Sequence, residues 1–262
     1  MPSNKILMNL EKAAARAYKI AESTYTAAAS GGQQIINLLP ICLKNCNSVT
    51  ILGPTYNEYE KAFKSSGIKT QTVSEVSKLS SSDIAIIVNP NNPTGKVIAD
   101  ETLEDLSKKV RILIIDESFK MFSSRKTLNL SNIIQINSLG KFFGLAGLRL
   151  GFVSGPSDFI KAVREMLGPW PVSSLAAEIG IVALNDGVWI SEMEKILVTE
   201  SNALHEACSS RNWELVGRTS LFHTYATSSC LEVEKQFAAH GIWVRTCLLY
   251  TSPSPRDGVL SR

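Results

Sequence analysis

The sequence predicts an α/β protein built on a mostly parallel sheet. Short apolar segments alternate with helical segments along the chain, which is the pattern of strand–helix–strand units. The segment 83–88 (DIAIIV) is almost wholly apolar, as expected for a central parallel strand that is covered on both faces. The predicted strands also end in polar residues about one strand–helix–strand unit apart. We therefore expect a functional site at one edge of the sheet.

Composition narrows the class of protein. The 262 residues carry a net charge of +3 and are 44% hydrophobic, which is ordinary for a soluble globular enzyme and gives no reason to expect nucleic-acid or membrane binding. No apolar run is long enough to span a bilayer, and the first residues lack the apolar core of a secretory signal. The histidines His205, His223 and His240 share no metal-ligand spacing. The five scattered cysteines are typical of reduced thiols in a cytoplasmic protein. We expect a cytoplasmic protein without a metal site.

The first predicted elements are a helix at 10–21, a small-residue loop at 27–34 and a helix at 35–39. Glycine before a helix leaves backbone N–H groups free at the positive end of the helix dipole, where a phosphate can bind. Gly32 and Gln33 occupy this position. Small-residue loops also precede many helices for purely steric reasons, so this loop alone does not establish a phosphate site.

The chain then alternates between strands and helices. Strands are predicted at 48–52, 68–73, 83–88, 111–115 and 133–136, with helices from Tyr56 to about residue 63 and at 101–109. Tyr56 lies just after the first of these strands. An aromatic ring in this place can stack on a flat ligand or simply cap the sheet, and its position favours neither role.

Polar residues follow three successive strands. Asn92 lies in the turn 89–95 (NPNNPTG), where two prolines and a glycine fix a sharp bend. Asp116 directly follows an apolar strand, where a carboxylate needs a cationic partner such as a protonated pyridine nitrogen. Lys141 lies in the turn after the next strand. Because the carboxyl ends of parallel strands meet at one edge, we expect these three side chains to converge.

Lys141 belongs to the apolar, glycine-rich stretch 138–152 (SLGKFFGLAGLRLGF). We expect apolar packing around its amine, where desolvation favours the neutral, nucleophilic form. Such an amine can form a Schiff base with an aldehyde cofactor. The hydroxyl of Ser138 and the guanidinium of Arg149 would then hold a phosphate. A lone lysine at a strand end is usually a surface residue, and the convergence of the strand ends is what favours a site.

The C-terminal part predicts a smaller α+β unit. The predicted elements are a helix at 189–207, strands at 213–216 and 221–225, a helix at 230–239 and a strand at 241–245. Arg245 ends the last strand and is either a ligand for a substrate anion or a surface arginine. The tail that follows has a Ser/Pro pattern without strand or helix period, which predicts disorder, and it resembles a translated sequencing adapter.

Several motifs resemble the class I and II aminotransferase family. The resemblance rests on NPNNPTG, on the strand that precedes Asp116, and on SLGK followed by Arg149. The segments GPTYNEYE, DESF, GKFFGLAGLRLGF, LGPWPVSSLAAEIG and TSLF are similar to its threonine-phosphate decarboxylase branch, which is related to the histidinol-phosphate aminotransferases. The resemblance extends from about Leu10 to Arg245.

This resemblance implies fold type I, with a mixed, mostly parallel seven-stranded sheet between helices, a smaller C-terminal α+β domain, and pyridoxal 5'-phosphate as cofactor. It predicts an N-terminal helical segment at 1–26, a large cofactor-binding domain at 27–186, a partial small domain at 187–246 and a non-native tail at 247–262. It also implies a homodimer. The family's N-terminal arm and closing C-terminal segments are not found, which predicts an internal fragment.

The resemblance also implies roles at the cofactor ring. Lys141 would hold the cofactor covalently and move a proton at the substrate Cα, and Asp116 would keep the ring nitrogen protonated. Asn92 would bond the phenolic oxygen, and Tyr56 would stack on the ring. Phe119 stands where many relatives have a tyrosine that bonds this oxygen, so that contact is absent.

At the cofactor phosphate, the implied ligands are the backbone N–H groups of Gly32 and Gln33, together with Ser138 and Arg149. Relatives often carry serine, alanine or another small residue in place of Gly32, which leaves this backbone role intact.

The reaction implied is decarboxylation of L-threonine O-3-phosphate to (R)-1-aminopropan-2-yl phosphate in cobalamin biosynthesis. An aminotransferase of the histidinol-phosphate type is the alternative, because the cofactor motifs are the same in both and only the groups that grip the substrate decide which Cα bond is weakened. A truncated, catalytically impaired fragment is the third possibility.

Overall fold

The computed structural model of the chain describes residues 1–43, 45–128, 130–210 and 213–247. The strands are β1 (Tyr25–Ala29), β2 (Ser48–Leu52), β3 (Lys69–Val73), β4 (Ile84–Val88), β5 (Ile112–Asp116), β6 (Ile133–Ser138), β7 (Gly151–Gly155), β8 (Glu214–Thr219) and β9 (Phe222–Ala226). The α-helices are α1 (Asn4–Ala17), α2 (Gly32–Cys42), α3 (Glu58–Ser65), α4 (Asp100–Ser107), α5 (Ser157–Leu167), α6 (Ser174–Asn185), α7 (Gly187–Ser209) and α8 (Cys230–Ala239). Short 3-10 helices occupy Val76–Ser81 and Ala146–Leu148.

A seven-stranded sheet of order β1-β7-β6-β5-β4-β2-β3 forms the centre. Strands β3, β2, β4, β5 and β6 are parallel, and β7 is antiparallel to both β6 and β1. The register pairs Val88 with Asp116 and Asp116 with Ile136, so the carboxyl ends of β4, β5 and β6 lie side by side. The prediction of a mixed, mostly parallel seven-stranded sheet is confirmed.

Both faces of this sheet are covered, which explains why its central strands are rich in apolar residues. Ile86 and Ile114 face a core cluster that contains residues of α2, α3 and α5. Ile87 and Ile115 point to the opposite face, towards residues of α4. A third cluster joins α1 and α6 to the buried residues of the stretch 138–152.

The N-terminal elements differ from the prediction. Helix α1 begins and ends earlier than the predicted 10–21, and the small-residue loop predicted at 27–34 contains the last residues of strand β1 and the start of α2. Alanine and glycine have low strand propensity, but packing overrides propensity here. A Cβ added at Gly151 of β7 would lie 2.8 Å from the backbone of Gly31 and Gly32, so the neighbouring backbones approach more closely than larger residues allow.

The C-terminal part agrees with the prediction except at its end. The predicted long helix and hairpin are α7 and β8–β9, and the helix predicted at 230–239 is α8. The strand predicted at 241–245 is wrong: residues 242–247 form no ladder, since no strand of the described chain pairs with them. The disordered tail was predicted for 247–262, and 248–262 lie outside the described residues. The predicted domain limits stay a prediction.

Among the helices that the structure describes, none combines the length and the hydropathy needed to cross a bilayer.

Candidate active site

Asp116 is the centre of the candidate site. It ends β5 with only 7% of its surface exposed. Its Oδ2 accepts a hydrogen bond of 2.7 Å from the hydroxyl of Tyr59, and its Oδ1 accepts one of 2.9 Å from the backbone N–H of Ser118. The expected cationic partner is a protonated pyridine nitrogen, and within the described chain both donors are neutral and no ion pair reaches this carboxylate. The carboxylate is therefore free of a competing protein cation and can pair with one from a ligand.

Tyr59 is a site residue that the sequence did not reveal. It lies on α3, has no exposed surface, and packs in the same core cluster as Phe63. Burial, reinforced by the charge of Asp116, raises the pKa of Tyr59 well above its usual value, so the hydroxyl stays protonated and acts as a donor. The only signal in the sequence is its spacing three residues after Tyr56.

The turn after β4 is held by its own side chains. The Asn91 amide donates 2.9 Å to the backbone oxygen of Pro54 and 2.7 Å to the hydroxyl of Thr94, and it accepts 2.6 Å from Thr55. By contrast, the half-buried side-chain amide of Asn92 has no hydrogen-bond partner among the described residues. The turn is therefore rigid without Asn92, whose amide is left available to a ligand.

Lys141 lies at the same edge, but its environment differs from the prediction. Its side chain is exposed, and Nζ lies 5.1 Å from the centre of the Phe119 ring. The expected apolar packing around the amine is wrong, because the turn directs Phe142 and Phe143 into the core and leaves Lys141 pointing outwards. Phe119 in turn contacts Phe222 of the hairpin edge-on, with ring centres 5.0 Å apart.

The start of α2 has an arrangement suited to an anion. Gly31 precedes the helix with φ +88° and no side-chain cap, so the N–H groups of Gly32 and Gln33 lie in the uncapped first turn. A Cβ at Gly31 would lie 2.7 Å from Nη2 of Arg149, which places the guanidinium directly beside this helix end. Arg149 itself adopts left-handed backbone angles (φ +53°), an uncommon conformation for a residue other than glycine.

Ser138 is brought to the same place by the sheet register. It pairs with Gly151, whose missing side chain lets the backbone of Gly31 and Gly32 approach. The Ser138 hydroxyl accepts a 3.0 Å hydrogen bond from the N–H of Gly140 and keeps its own proton to donate. The structure therefore brings together the predicted phosphate ligands.

Tyr56 lies between the start of α2 and Arg245 of the C-terminal part. Its hydroxyl donates 3.0 Å to the side-chain oxygen of Gln33. Burial raises the pKa of Tyr56, the charge of Glu58 adds to the rise, and the positive charge of Arg245 opposes it. Arg245 is exposed and does not end a strand, yet it lies near enough for its charge to act on Tyr56.

The β8–β9 hairpin packs directly on the turn that carries Asn92. The Thr224 hydroxyl donates 2.5 Å to the backbone oxygen of Pro93. Gly95 has φ +67°, and a Cβ there would lie 2.6 Å from the backbone N of Arg218. A Cβ at Gly217 would overlap the backbone oxygen of Thr94. This backbone-to-backbone contact, which no motif revealed, places the C-terminal part against the site.

A buried charge cluster anchors the loop after Asp116. Glu117 is 1% exposed and accepts hydrogen bonds from Lys120 (2.8 Å), Arg125 (3.0 Å) and Gln135 (3.1 Å). The segment DESF was noted in the sequence for its family resemblance, and this role of its glutamate was not foreseen.

Two of the histidines lie together in the C-terminal part. The rings of His205 and His223 are 6.2 Å apart, and both contact the hydroxyl of Tyr225. Across the part of the chain that the structure describes, no group of three or more His, Cys, Asp or Glu is arranged to hold a metal.

Comparison with known proteins identifies the family. Residues 1–254 match the family model described as aminotransferase class I and II. A threonine-phosphate decarboxylase of Pseudomonas aeruginosa is 32% identical over 82% of this chain and 68% of its own length. The chain belongs to the class I and II aminotransferase family.

Other relatives in this family carry the same name or that of an aminotransferase. A threonine-phosphate decarboxylase of a Sinorhizobium species is 36% identical over 57% of this chain and 48% of its own length. A histidinol-phosphate aminotransferase of Desulfitobacterium hafniense is 27% identical over 68% of this chain and 56% of its own length. The matches thus span between about half and two thirds of these relatives.

Solved structures share the fold. The histidinol-phosphate aminotransferase of Clostridium acetobutylicum matches with a TM-score of 0.83 at 21% identity, covering 96% of this chain and 83% of that structure. That of Sinorhizobium meliloti, in complex with pyridoxal 5'-phosphate, matches with a TM-score of 0.78 at 15% identity, covering 95% and 76%. The fold is therefore type I, and membership of this family assigns pyridoxal 5'-phosphate as the cofactor.

The residues at the sheet edge fit this cofactor. Asp116 offers a buried carboxylate without a cationic partner in the described chain, which suits a protonated ring nitrogen. The uncapped start of α2, with the Arg149 guanidinium beside it, suits a phosphate. Lys141 supplies an amine, and Asn92 an amide with no partner among the described residues.

Proposed function

We propose that this chain is a pyridoxal-phosphate-dependent decarboxylase that converts L-threonine O-3-phosphate to (R)-1-aminopropan-2-yl phosphate in cobalamin biosynthesis. The observation that carries the proposal is the convergence of Asp116, Asn92 and Lys141 beside an uncapped helix start, in a chain whose relatives at 32% and 36% identity are threonine-phosphate decarboxylases. When bound, the cofactor supplies an electron sink for the bond that breaks at the substrate Cα.

Around the cofactor ring, the proposed roles follow from the chemistry of each side chain. Asp116, held in place by hydrogen bonds from two neutral donors, pairs with the ring nitrogen. Asn92 donates its amide to the phenolic oxygen, and Tyr56 lies against the ring. Lys141 holds the cofactor and returns a proton to Cα, for which its exposed amine on a turn has the necessary freedom.

The proposed ligands of the cofactor phosphate are the backbone N–H groups of Gly32 and Gln33. The side chains of Ser138 and Arg149 complete this phosphate site. Arg245 is the proposed ligand for a substrate anion, because its exposed side chain lies in the neighbourhood of Tyr56.

The finer expectations about the protein's context are part of the same proposal. We propose a cytoplasmic homodimer, and exposed apolar side chains such as Trp170 and Leu175 are available for contact with a second copy.

A histidinol-phosphate-type aminotransferase is the second candidate. The relative at 27% identity carries that name, and the residues that surround the cofactor serve either reaction.

The test combines the chain with pyridoxal 5'-phosphate and carboxyl-labelled L-threonine O-3-phosphate. We expect visible absorbance from the lysine-bound cofactor and release of labelled CO2. Both should disappear in Lys141→Ala and persist in Lys5→Ala, which removes an exposed lysine on α1. Absorbance with transfer of the amino group and no CO2 would support the aminotransferase, and absorbance with neither product would contradict both reactions.

A further inference from the structure

We propose that Tyr59 is a positioning residue, whose hydroxyl fixes the ionised Asp116 carboxylate in the orientation that receives the cofactor's ring nitrogen. This inference rests on the proposed role of Asp116 and goes beyond it, since it concerns a side chain that does not itself touch the cofactor. The observation that carries it is the 2.7 Å hydrogen bond from Tyr59 to Oδ2 of Asp116, between two buried groups.

The donor is fixed in place. Tyr59 has no exposed surface and is enclosed by the core cluster that includes Phe63, Ile86 and Ile114. Its hydroxyl therefore cannot leave Asp116 for water. Since α3 carries this ring to the end of β5, the hydrogen bond joins a helix on one face of the sheet to the strand end where the site lies.

The carboxylate is held at both oxygens. Tyr59 occupies one acceptor position on Oδ2, and the N–H of Ser118 occupies one on Oδ1 at 2.9 Å. Because the two donors are on different oxygens, rotation of the carboxylate would break both hydrogen bonds. Each carboxylate oxygen keeps a further lone pair that can accept a hydrogen bond from a ligand. Because the carboxylate cannot rotate, these lone pairs point in fixed directions.

The charge is also preserved. A lysine or arginine in the place of Tyr59 would satisfy Asp116 and compete with a cationic ring nitrogen. A neutral hydroxyl stabilises the ionised form and leaves its negative charge available. Tyr59 thus meets both requirements, orientation and charge, that a carboxylate paired with a pyridinium nitrogen imposes.

The test compares Tyr59→Phe with Tyr18→Phe. Both tyrosines are buried, but the Tyr18 hydroxyl, in a residue 3% exposed, has no hydrogen-bond partner among the described residues. Each variant loses one oxygen and keeps its ring. Binding of pyridoxal 5'-phosphate to the apoprotein is measured by quenching of tryptophan fluorescence, and circular dichroism checks the fold. We expect a Kd about tenfold higher for Tyr59→Phe, from the loss of one charge-assisted hydrogen bond, and no change for Tyr18→Phe.

A double-mutant cycle separates positioning from a general effect on packing. If Tyr59 acts through Asp116, Tyr59→Phe should not weaken cofactor binding further in an Asp116→Asn background. Equal losses in both backgrounds, or the same Kd for Tyr59→Phe and the unsubstituted chain, would overturn the inference. If Asp116→Asn alone leaves the Kd unchanged, the proposed role of Asp116 fails first, and the inference with it. Loss of binding by the unsubstituted chain would instead refute the proposed function.

Discussion

At the scale of single residues, Gly31 and Arg149 depend on each other. Gly31 has φ +88°, which strains any residue with a side chain, and its Cα faces the Arg149 guanidinium. A methyl group there would displace the guanidinium from the start of α2. The position of the Arg149 guanidinium therefore depends on glycine at residue 31, although more than a hundred residues separate the two.

Gly31→Ala should lower the free energy of unfolding by about 1 kcal/mol, because alanine is strained at this φ. It should also weaken cofactor binding about tenfold, because Arg149 is pushed away. Gly32→Ala is the matched control, since no atom lies within 4 Å of the added Cβ and φ is not positive. Urea denaturation and cofactor titration measure the two effects. Equal behaviour of the two variants would show that the Gly31–Arg149 contact is unimportant.

The sequence revealed the residues that follow strand ends and missed those that support them. Asp116, Asn92 and Lys141 were predictable because a polar residue after an apolar strand is conspicuous. Tyr59 was not, because its hydrogen bond to Asp116 depends on how α3 packs on the sheet. The exposure of Lys141 was missed for the same reason: neighbouring phenylalanines predict an apolar environment but not which side of the turn each residue takes.

At the scale of elements, the β8–β9 hairpin depends on glycine for its contact with the turn after β4. Gly217→Ala should move the hairpin, because the new methyl group would overlap the backbone oxygen of Thr94. We expect a loss of about 1–3 kcal/mol in stability. Amides of β9 should exchange hydrogen faster, while those of β5 are unaffected.

The control for this prediction is Gly187→Ala at the start of α7, where the added Cβ meets no atom within 4 Å. Hydrogen exchange followed by mass spectrometry gives the comparison. Unchanged exchange in β9 of Gly217→Ala would contradict the packing described.

The central parallel strands were predictable from their apolar runs, whereas β1 and β7 were not. The alanines of β1 predict a loop, no element was predicted for β7, and the mutual pairing of the two strands and the close approach of Gly151 to the start of α2 account for them. The strand predicted at 241–245 is wrong for the opposite reason. Its residues have strand propensity, but no strand of the described chain pairs with them.

At the scale of the whole molecule, the buried cluster around Glu117 joins the loop after β5 to β6. Glu117→Gln should reduce the free energy of unfolding by about 3–5 kcal/mol, because Lys120 and Arg125 would keep buried charges without their main partner. Denaturation with urea measures this change.

Glu75→Gln is the comparison for Glu117→Gln. Its ion pair with Lys78 is largely exposed, so its loss should change stability by about 0–1 kcal/mol. A loss of less than about 1 kcal/mol for Glu117→Gln would mean that the cluster is not important for stability.

The pairing of β1 with β7 has a consequence for synthesis of the chain. Tyr25 lies opposite Gly155, and in the described sheet β7 is the only neighbour of β1. In a nascent chain, strands β2 to β6 can assemble before β7 has left the ribosome. Strand β1 pairs later, because its contact with β7 closes a long loop. Since Gly31 follows β1 and Arg149 precedes β7, the start of α2 and the Arg149 guanidinium come together only then. If the cofactor phosphate binds there, as proposed, we expect cofactor capture to be a late event in the maturation of the nascent chain.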